Sequence, residues 1–188
     1  MEQIEHWVVQ WQAGNEEAAE QLYNQFRAQT YRLAYGLLGN IHDAEEVMQD
    51  ALQYALANIQ KYDVQQAKFS TWLHTITIGR ARNRLRRKWL PSISLDWLLA
   101  QDREVVAKQK GLEENVIHGE LWQMVQGLKP TWREAILLRF WLAYSYPEMA
   151  EILNCPVGTA QSRTRRALAA LRKQLQGSST IRLQEKSL

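Results

Sequence analysis

Three groups of side chains in this sequence have the types and spacing to bind something. The first lies within Ser145 to Leu171, SYPEMAEILNCPVGTAQSRTRRALAAL. On a helical wheel beginning near Val157, Gln161, Ser162, Arg165 and Arg166 point one way, with Arg163 on the flank. Ala160, Thr164, Ala167, Leu168, Leu171 and Leu175 point the other way. A polar, basic helix face of this kind either lies in a DNA major groove or is a solvated surface. The second group is a line of Phe69, Trp72, Leu73 and Ile76 that continues along the same helix as Arg80, Arg84 and Arg87. Rings that stack on bases, next to cations that hold phosphates, suit single-stranded nucleic acid. Leu73 and Ile76 read as core, and Phe69 and Trp72 fit core or stacking equally. The third is a polar, mostly acidic stripe, Glu45, Glu46, Gln49, Asp50 and Gln53. Alone it reads as a solvated face; its sharper reading is a dock for a basic partner.

The elements that must hold these groups are helical throughout, since no strand-like alternation persists. One helix is expected over residues 2–13, ended by Gly14-Asn15, with Asn15 capping the next, 16–38. Gly39-Asn40 stops that one. A third starts at Asp43, which forms a capping box with Glu46, and reaches about Tyr62. Its apolar side is Val47, Ala51, Tyr54, Ala55 and Ile59. The polar loop 63–68 leads to a fourth helix, 70–89, anchored late by Ile78, Ala81, Leu85 and Trp89. Pro91, scattered Ser and the charged run 101–111 read as a linker. Further helices are expected over 113–127 and from Pro130 to Leu142. Ser145 and Glu148 make a capping box, and Pro147 falls harmlessly in the first turn. Asn154-Cys155-Pro156 then breaks the helix. A short helix, a sharp turn and a second helix with a basic outer face make a helix-turn-helix. The expected fold is therefore all-α: two small helical domains on a flexible linker, the second containing the helix-turn-helix. The domains are 1–90 and 113–176, the linker is 91–112, and 177–188 is a loosely held tail.

Bulk properties exclude several classes. The formal net charge is only +3, but bases crowd residues 80–88 and 163–173, which suggests two contacts with a polyanion. The single cysteine, Cys155, excludes an internal disulfide and any Cys-based zinc site. It fits a small buried turn residue better than a redox switch. No apolar run approaches a membrane span, and the acidic start is unlike a signal peptide. His6, His42, His74 and His118 are scattered, and no nucleophile sits beside a base. Neither enzyme, cofactor nor metal site is expected.

Set in order, these motifs closely resemble the small, extracytoplasmic-function type of bacterial RNA polymerase sigma factor. The matching residues are Asp43-Ala44-Glu45-Glu46-Val47 with Gln49-Asp50, Phe69-Ser70-Thr71-Trp72-Leu73, the Arg-rich helix end, and Ser145-Tyr146 to Arg166 with CPVGT and SR. Four motifs in order carry far more weight than any one of them. The resemblance implies a first domain that binds core polymerase and reads and melts the −10 element, and a second that reads −35. By position, the stripe Asp43, Glu45, Glu46, Gln49, Asp50 and Gln53 would dock on the β′ clamp helices. Tyr62 to Lys68 would capture a flipped −10 base, Phe69 and Trp72 would separate strands, and Arg80, Arg84 and Arg87 would hold −10 DNA. Gln161, Ser162, Arg163, Arg165 and Arg166 would meet the −35 groove. The second domain would also bind the β flap. Promoter DNA, core polymerase and an anti-sigma factor are the implied partners, and the cytoplasm the implied location. The main rival is a helix-turn-helix regulator that acts without polymerase docking. Two departures from the family pattern stand out on the −10 helix, Gly79 and Asn83, where Asn and Asp are common. On the recognition helix, Gln161 and Leu168 stand where basic residues are common. Gln pairs with the edge of adenine and Arg with that of guanine, so an altered −35 preference is expected.

Overall fold

The structure, a computed structural model, describes residues 2–89 and 119–185. Among these residues every regular element is helical. The expected linker and the expected start of a helix at residue 113 lie outside the described residues. The first module holds α1 (Glu2–Gln12), α2 (Glu16–Leu38), α3 (Ile41–Ala57), a 3-10 turn (Ile59–Lys61) and α4 (Phe69–Trp89). The second holds α5 (Glu120–Gln126), α6 (Pro130–Ile136), a π turn (Leu137–Trp141), α7 (Tyr146–Leu153) and α8 (Val157–Glu185).

Local chemistry sets most boundaries. Asn15 caps α2 by accepting from the Glu17 and Ala18 amides. Gly39, at φ 66°, closes α2 in the left-handed region, its N–H donating to the Tyr35 carbonyl. The start of α3 differs from expectation. Asn40 is the cap, accepting from the Asp43 amide, and there is no Asp43–Glu46 capping box because Asp43 turns inward. Tyr54, expected in the core, lies 40% exposed. The helix expected over 130–142 ends early as α6 and passes into the π turn, where the Leu142 N–H donates to Leu137. That wider turn buries Leu137 and Leu138 while leaving Phe140 and Trp141 exposed. Further on, α8 runs to Glu185, beyond Gly177 where a loose tail was expected.

Each module has its own apolar centre. In the first, Val8, Leu22, Phe26, Met48, Leu52, Tyr62, Phe69 and Leu73 pack together. In the second, Val125, Leu128, Ile136, Ala167 and Leu171 do. A third cluster belongs to both: Leu33, Ala34, Leu37, Ile78 and Ala81 meet Leu137, Leu138, Tyr144, Met149 and Ile152. The modules are therefore pressed together along a seam in which α4 faces α6 and α7. Close approach there depends on Gly36, since a Cβ would come within 2.9 Å of a Leu137 methyl. An aromatic ladder crosses the same boundary. Tyr31 stacks on Tyr35, Tyr35 stacks on Trp122 at 5.5 Å, and Trp122 meets Trp141 edge-on. No helix among the described residues is long and apolar enough to cross a membrane.

Candidate nucleic-acid interface

The helix-turn-helix forms as its sequence requires. The Ser145 amide and hydroxyl both donate to Glu148 Oε2, at 2.9 and 2.8 Å, and the Glu148 amide donates back to Ser145 Oγ. These bonds hold the Glu148 carboxyl below its ordinary range, with Lys68 adding to the effect. Asn154 ends α7 in the left-handed region, at φ 49°. Met149, Ile152 and Leu153 then seat α7 against Ala160 of α8. On α8, Ala160, Thr164, Ala167 and Leu171 are buried, as the wheel requires. Leu168 is half-buried and Leu175 exposed. Gln161, Arg165 and Arg166 stand exposed on the opposite face. Ser162 and Arg163 are half-buried flanks, and the Ser162 hydroxyl donates to the Thr159 carbonyl.

The aromatic-basic helix is arranged differently. Phe69 is 4% exposed, against Phe26 at 5.0 Å and edge-on to Tyr62. Tyr62, 6% exposed, donates its hydroxyl to the Ala67 carbonyl and so closes the 62–68 loop. That loop is steadied from α1, where Gln12 donates to the carbonyls of Ile59 and Tyr62. As placed, neither Phe69 nor Tyr62 offers a free ring face. Trp72 is half-buried over both. Arg80 lies over the Tyr54 ring, 4.8 Å from its centre, and Arg87 is exposed. Arg84 meets Asp43 and Glu46, each at 2.8 Å. One arginine of the basic stripe is thus tied to two residues of the acidic stripe, and the bond to Asp43 raises its pKa further. Glu45, Glu46, Gln49, Asp50 and Gln53 form an exposed face of α3, whereas Asp43 is buried.

The seam contains residues that helical periodicity did not single out. Arg82 forks onto Glu134 of α6, Nε to Oε1 at 2.7 Å and Nη2 to Oε2 at 2.8 Å. Glu134 is 2% exposed. Lys68 reaches Glu148 at 3.1 Å. His74, fully buried, shares a 2.7 Å hydrogen bond with the Tyr144 hydroxyl through Nδ1, and its Nε2 has no partner. Burial pushes the His74 pKa down to about 4, because an imidazolium here would be desolvated with one N–H unsatisfied. Arg133 caps helix ends on both sides, donating to the Leu37, Leu128 and Gln126 carbonyls. No group of three or more His, Cys, Asp or Glu among the described residues is placed to hold a metal ion.

With this geometry in place, comparison with known proteins settles the family. Sigma-70 region 2 matches residues 22–90 and Sigma-70 region 4 matches residues 118–171. The ECF RNA polymerase sigma factor SigW of Bacillus subtilis is 34% identical over 182 residues, covering 92% of this chain and 96% of SigW. This chain belongs to the ECF sigma factors. The ECF sigma factor SigE of Mycolicibacterium smegmatis is 31% identical over 167 residues, covering 83% of this chain and 61% of SigE. The fold also matches the sigma factor RpoE of Bartonella quintana, solved with the anti-sigma factor NepR. That match has a TM-score of 0.67 and 23% identity, and covers 84% of this chain and 96% of RpoE. In this sigma factor the region 2 match takes in the α3 stripe and α4, and the region 4 match takes in the helix-turn-helix. α1, which supports the 62–68 loop, precedes the region 2 match.

Proposed function

We propose that this sigma factor brings core RNA polymerase to promoters by reading duplex DNA at −35 with α8 and capturing a −10 strand with α4. The observation that carries the reading is the bare polar face of α8, Gln161, Arg165 and Arg166, on a helix-turn-helix whose partner helix is firmly capped. Arg165 and Arg166 contact phosphate or guanine, Gln161 reads adenine, and Ser162 and Arg163 position the helix. Of Tyr62, Phe69 and Trp72, only Trp72 is not fully buried, and it is the foremost stacking residue. Phe69 and Tyr62 support it from beneath, and Lys68, Arg80, Arg84 and Arg87 supply the cations. Glu45, Glu46, Gln49, Asp50 and Gln53 dock on the β′ clamp helices, with Asp43 holding Arg84 below them. The second module also meets the β flap. Gly79 lowers the stability of α4 by about 1 kcal/mol relative to Ala and, with Asn83, gives the −10 pocket its own shape.

The chain acts by binding, without catalysis, cofactor or metal, and in the cytoplasm where promoter and polymerase meet. An anti-sigma factor is a further partner. The test is in vitro transcription with core enzyme from a randomised promoter library. Enrichment of templates with two conserved boxes, lost when Gln49 and Asp50 are both changed to Ala, is the expected result. Failure of the chain to bind core polymerase would instead leave a helix-turn-helix regulator.

A further inference from the structure

The three arginines of the α4 stripe are held in different ways. Arg84 is paired with Asp43 and Glu46, and Arg87 stands exposed. Arg80, half-buried, is held by a ring, its guanidinium 4.8 Å from the centre of Tyr54. Among the described residues no carboxylate pairs with it. The two kinds of contact have different consequences. A carboxylate takes the in-plane N–H donors of a guanidinium and offsets its charge. A ring takes the flat face, so the donors stay free at the edge and the charge is not cancelled. Arg84 must give up acids before it can take a phosphate, whereas Arg80 need give up nothing. Tyr54 is itself out of place as a core residue. Val47, Ala51, Ala55 and Ile59, on the same side of α3, are buried, yet Tyr54 is 40% exposed. What it covers is Arg80. The pair also lies on the line expected of a bound strand. Trp72, Ile76 and Arg80 follow one another at intervals of four residues on α4, all half-buried. From Trp72 to Arg80 is about 12 Å along the helix, at about 1.5 Å per residue. A strand laid there meets a ring at one end and the open edge of a guanidinium at the other.

We propose that Tyr54 is a positioning residue that presents Arg80 to a phosphate of the captured strand, a role that rests on the strand-capture reading of α4 and adds to it a residue from α3. Held against the ring, the Arg80 side chain gives up much of its freedom before the strand arrives, so less entropy remains to be lost on binding. Its fork of donors then meets the phosphate oxygens in the plane of the guanidinium. On this reading α3 serves two partners, its acidic stripe the polymerase and Tyr54, through Arg80, the strand.

The experiment measures binding of the full chain, without polymerase, to a fluorescent oligothymidylate strand across a salt series. Arg80→Gln is expected to weaken binding about tenfold and to make the slope of log K against log salt shallower by about 0.7. Tyr54→Leu removes the ring at an exposed position and leaves every charge in place; it should weaken binding about threefold. Tyr54→Phe and Tyr54→Trp put a ring back and should restore the affinity, Trp most fully because its face attracts a cation best. The deciding readout is the double variant. If Tyr54 acts through Arg80, Tyr54→Leu costs nothing further in the Arg80→Gln background. An equal loss in both backgrounds overturns the proposal, as does unchanged affinity in Tyr54→Leu or a loss that Tyr54→Phe fails to rescue. Binding of core polymerase is scored on the same proteins. Its loss in Tyr54→Leu with strand affinity intact would make Tyr54 part of the docking face and also overturns the proposal. An unaltered chain that ignores the strand, or an Arg80→Gln variant that binds it as tightly, overturns the strand-capture reading of α4 and the role of Tyr54 with it.

Discussion

On α8, Gln161, Arg165 and Arg166 stand clear of the protein, while on the first module Lys68, Arg82 and Arg84 each meet a carboxylate of the same chain. One basic face is unpaired, whereas three cations of the other are paired with acids while remaining partly exposed. On the proposed reading, the difference matches what each would recognise. Duplex DNA offers its groove without rearrangement, so a rigid, capped helix can remain open to it. A single strand exists only after melting, and an uncovered aromatic-basic surface would meet any unpaired nucleic acid.

The comparison can be broken most forcefully at Phe69. If that ring is core, Phe69→Ala lowers unfolding stability by about 3–5 kcal/mol in urea titrations. Trp72→Ala, half-exposed, should lower stability less and strand capture more. Equal stability losses for the two would erase the distinction between supporting and stacking rings. The next effect is set by pH. His74 is neutral in the folded protein, with its pKa near 4, and has an ordinary value of 6.5 once exposed. Its contribution is fully present above pH 6.5 and is lost as pH falls from there toward about 4, by on the order of 3 kcal/mol. His74→Gln should flatten that part of the stability profile while leaving −35 duplex binding unaltered. A smaller change is expected on the open face. Gln161→Arg should move one −35 position from adenine toward guanine by about 1–3 kcal/mol in competitive binding, and Gln161→Ala should flatten it. No change at any position in either variant would remove Gln161 from the reading face. Smallest is Ser145→Ala, which removes one cap and should cost about 1 kcal/mol by thermal unfolding.

Local signals in the sequence went a long way. Gly14-Asn15, Gly39-Asn40 and the Ser145–Glu148 box act through bonds a few residues long, so they could be read directly and they mark true boundaries. Asp43 shows where this stops. Its position favours a cap, but Arg84, far along the chain, claims the carboxylate, and Asn40 caps instead. Tertiary pairing outweighed local propensity. The seam was hidden for the same reason. His74 and Thr71 are polar, so a pattern search for apolar stripes passes over them, although both are buried once α7 packs on α4. Arg82 fell outside the basic line because it faces a partner known only from the fold. The π turn also escaped, since its role is to carry Leu137 to Gly36 rather than to satisfy any rule along the chain. The polar outer face of α8, with Gln161, Arg165 and Arg166 exposed, was legible because it depends on one helix alone.

The ladder of Tyr31, Tyr35, Trp122 and Trp141 gives this molecule an optical readout of its own state. The Tyr35 ring belongs to the first module and Trp122 to the second, and they lie face to face only while the two are together. Separation would return the Trp122 indole to water and end its contact with the phenol, changing its emission without any attached dye. Recorded against a Trp122→Phe control, that signal would time the parting of the modules as polymerase or DNA arrives.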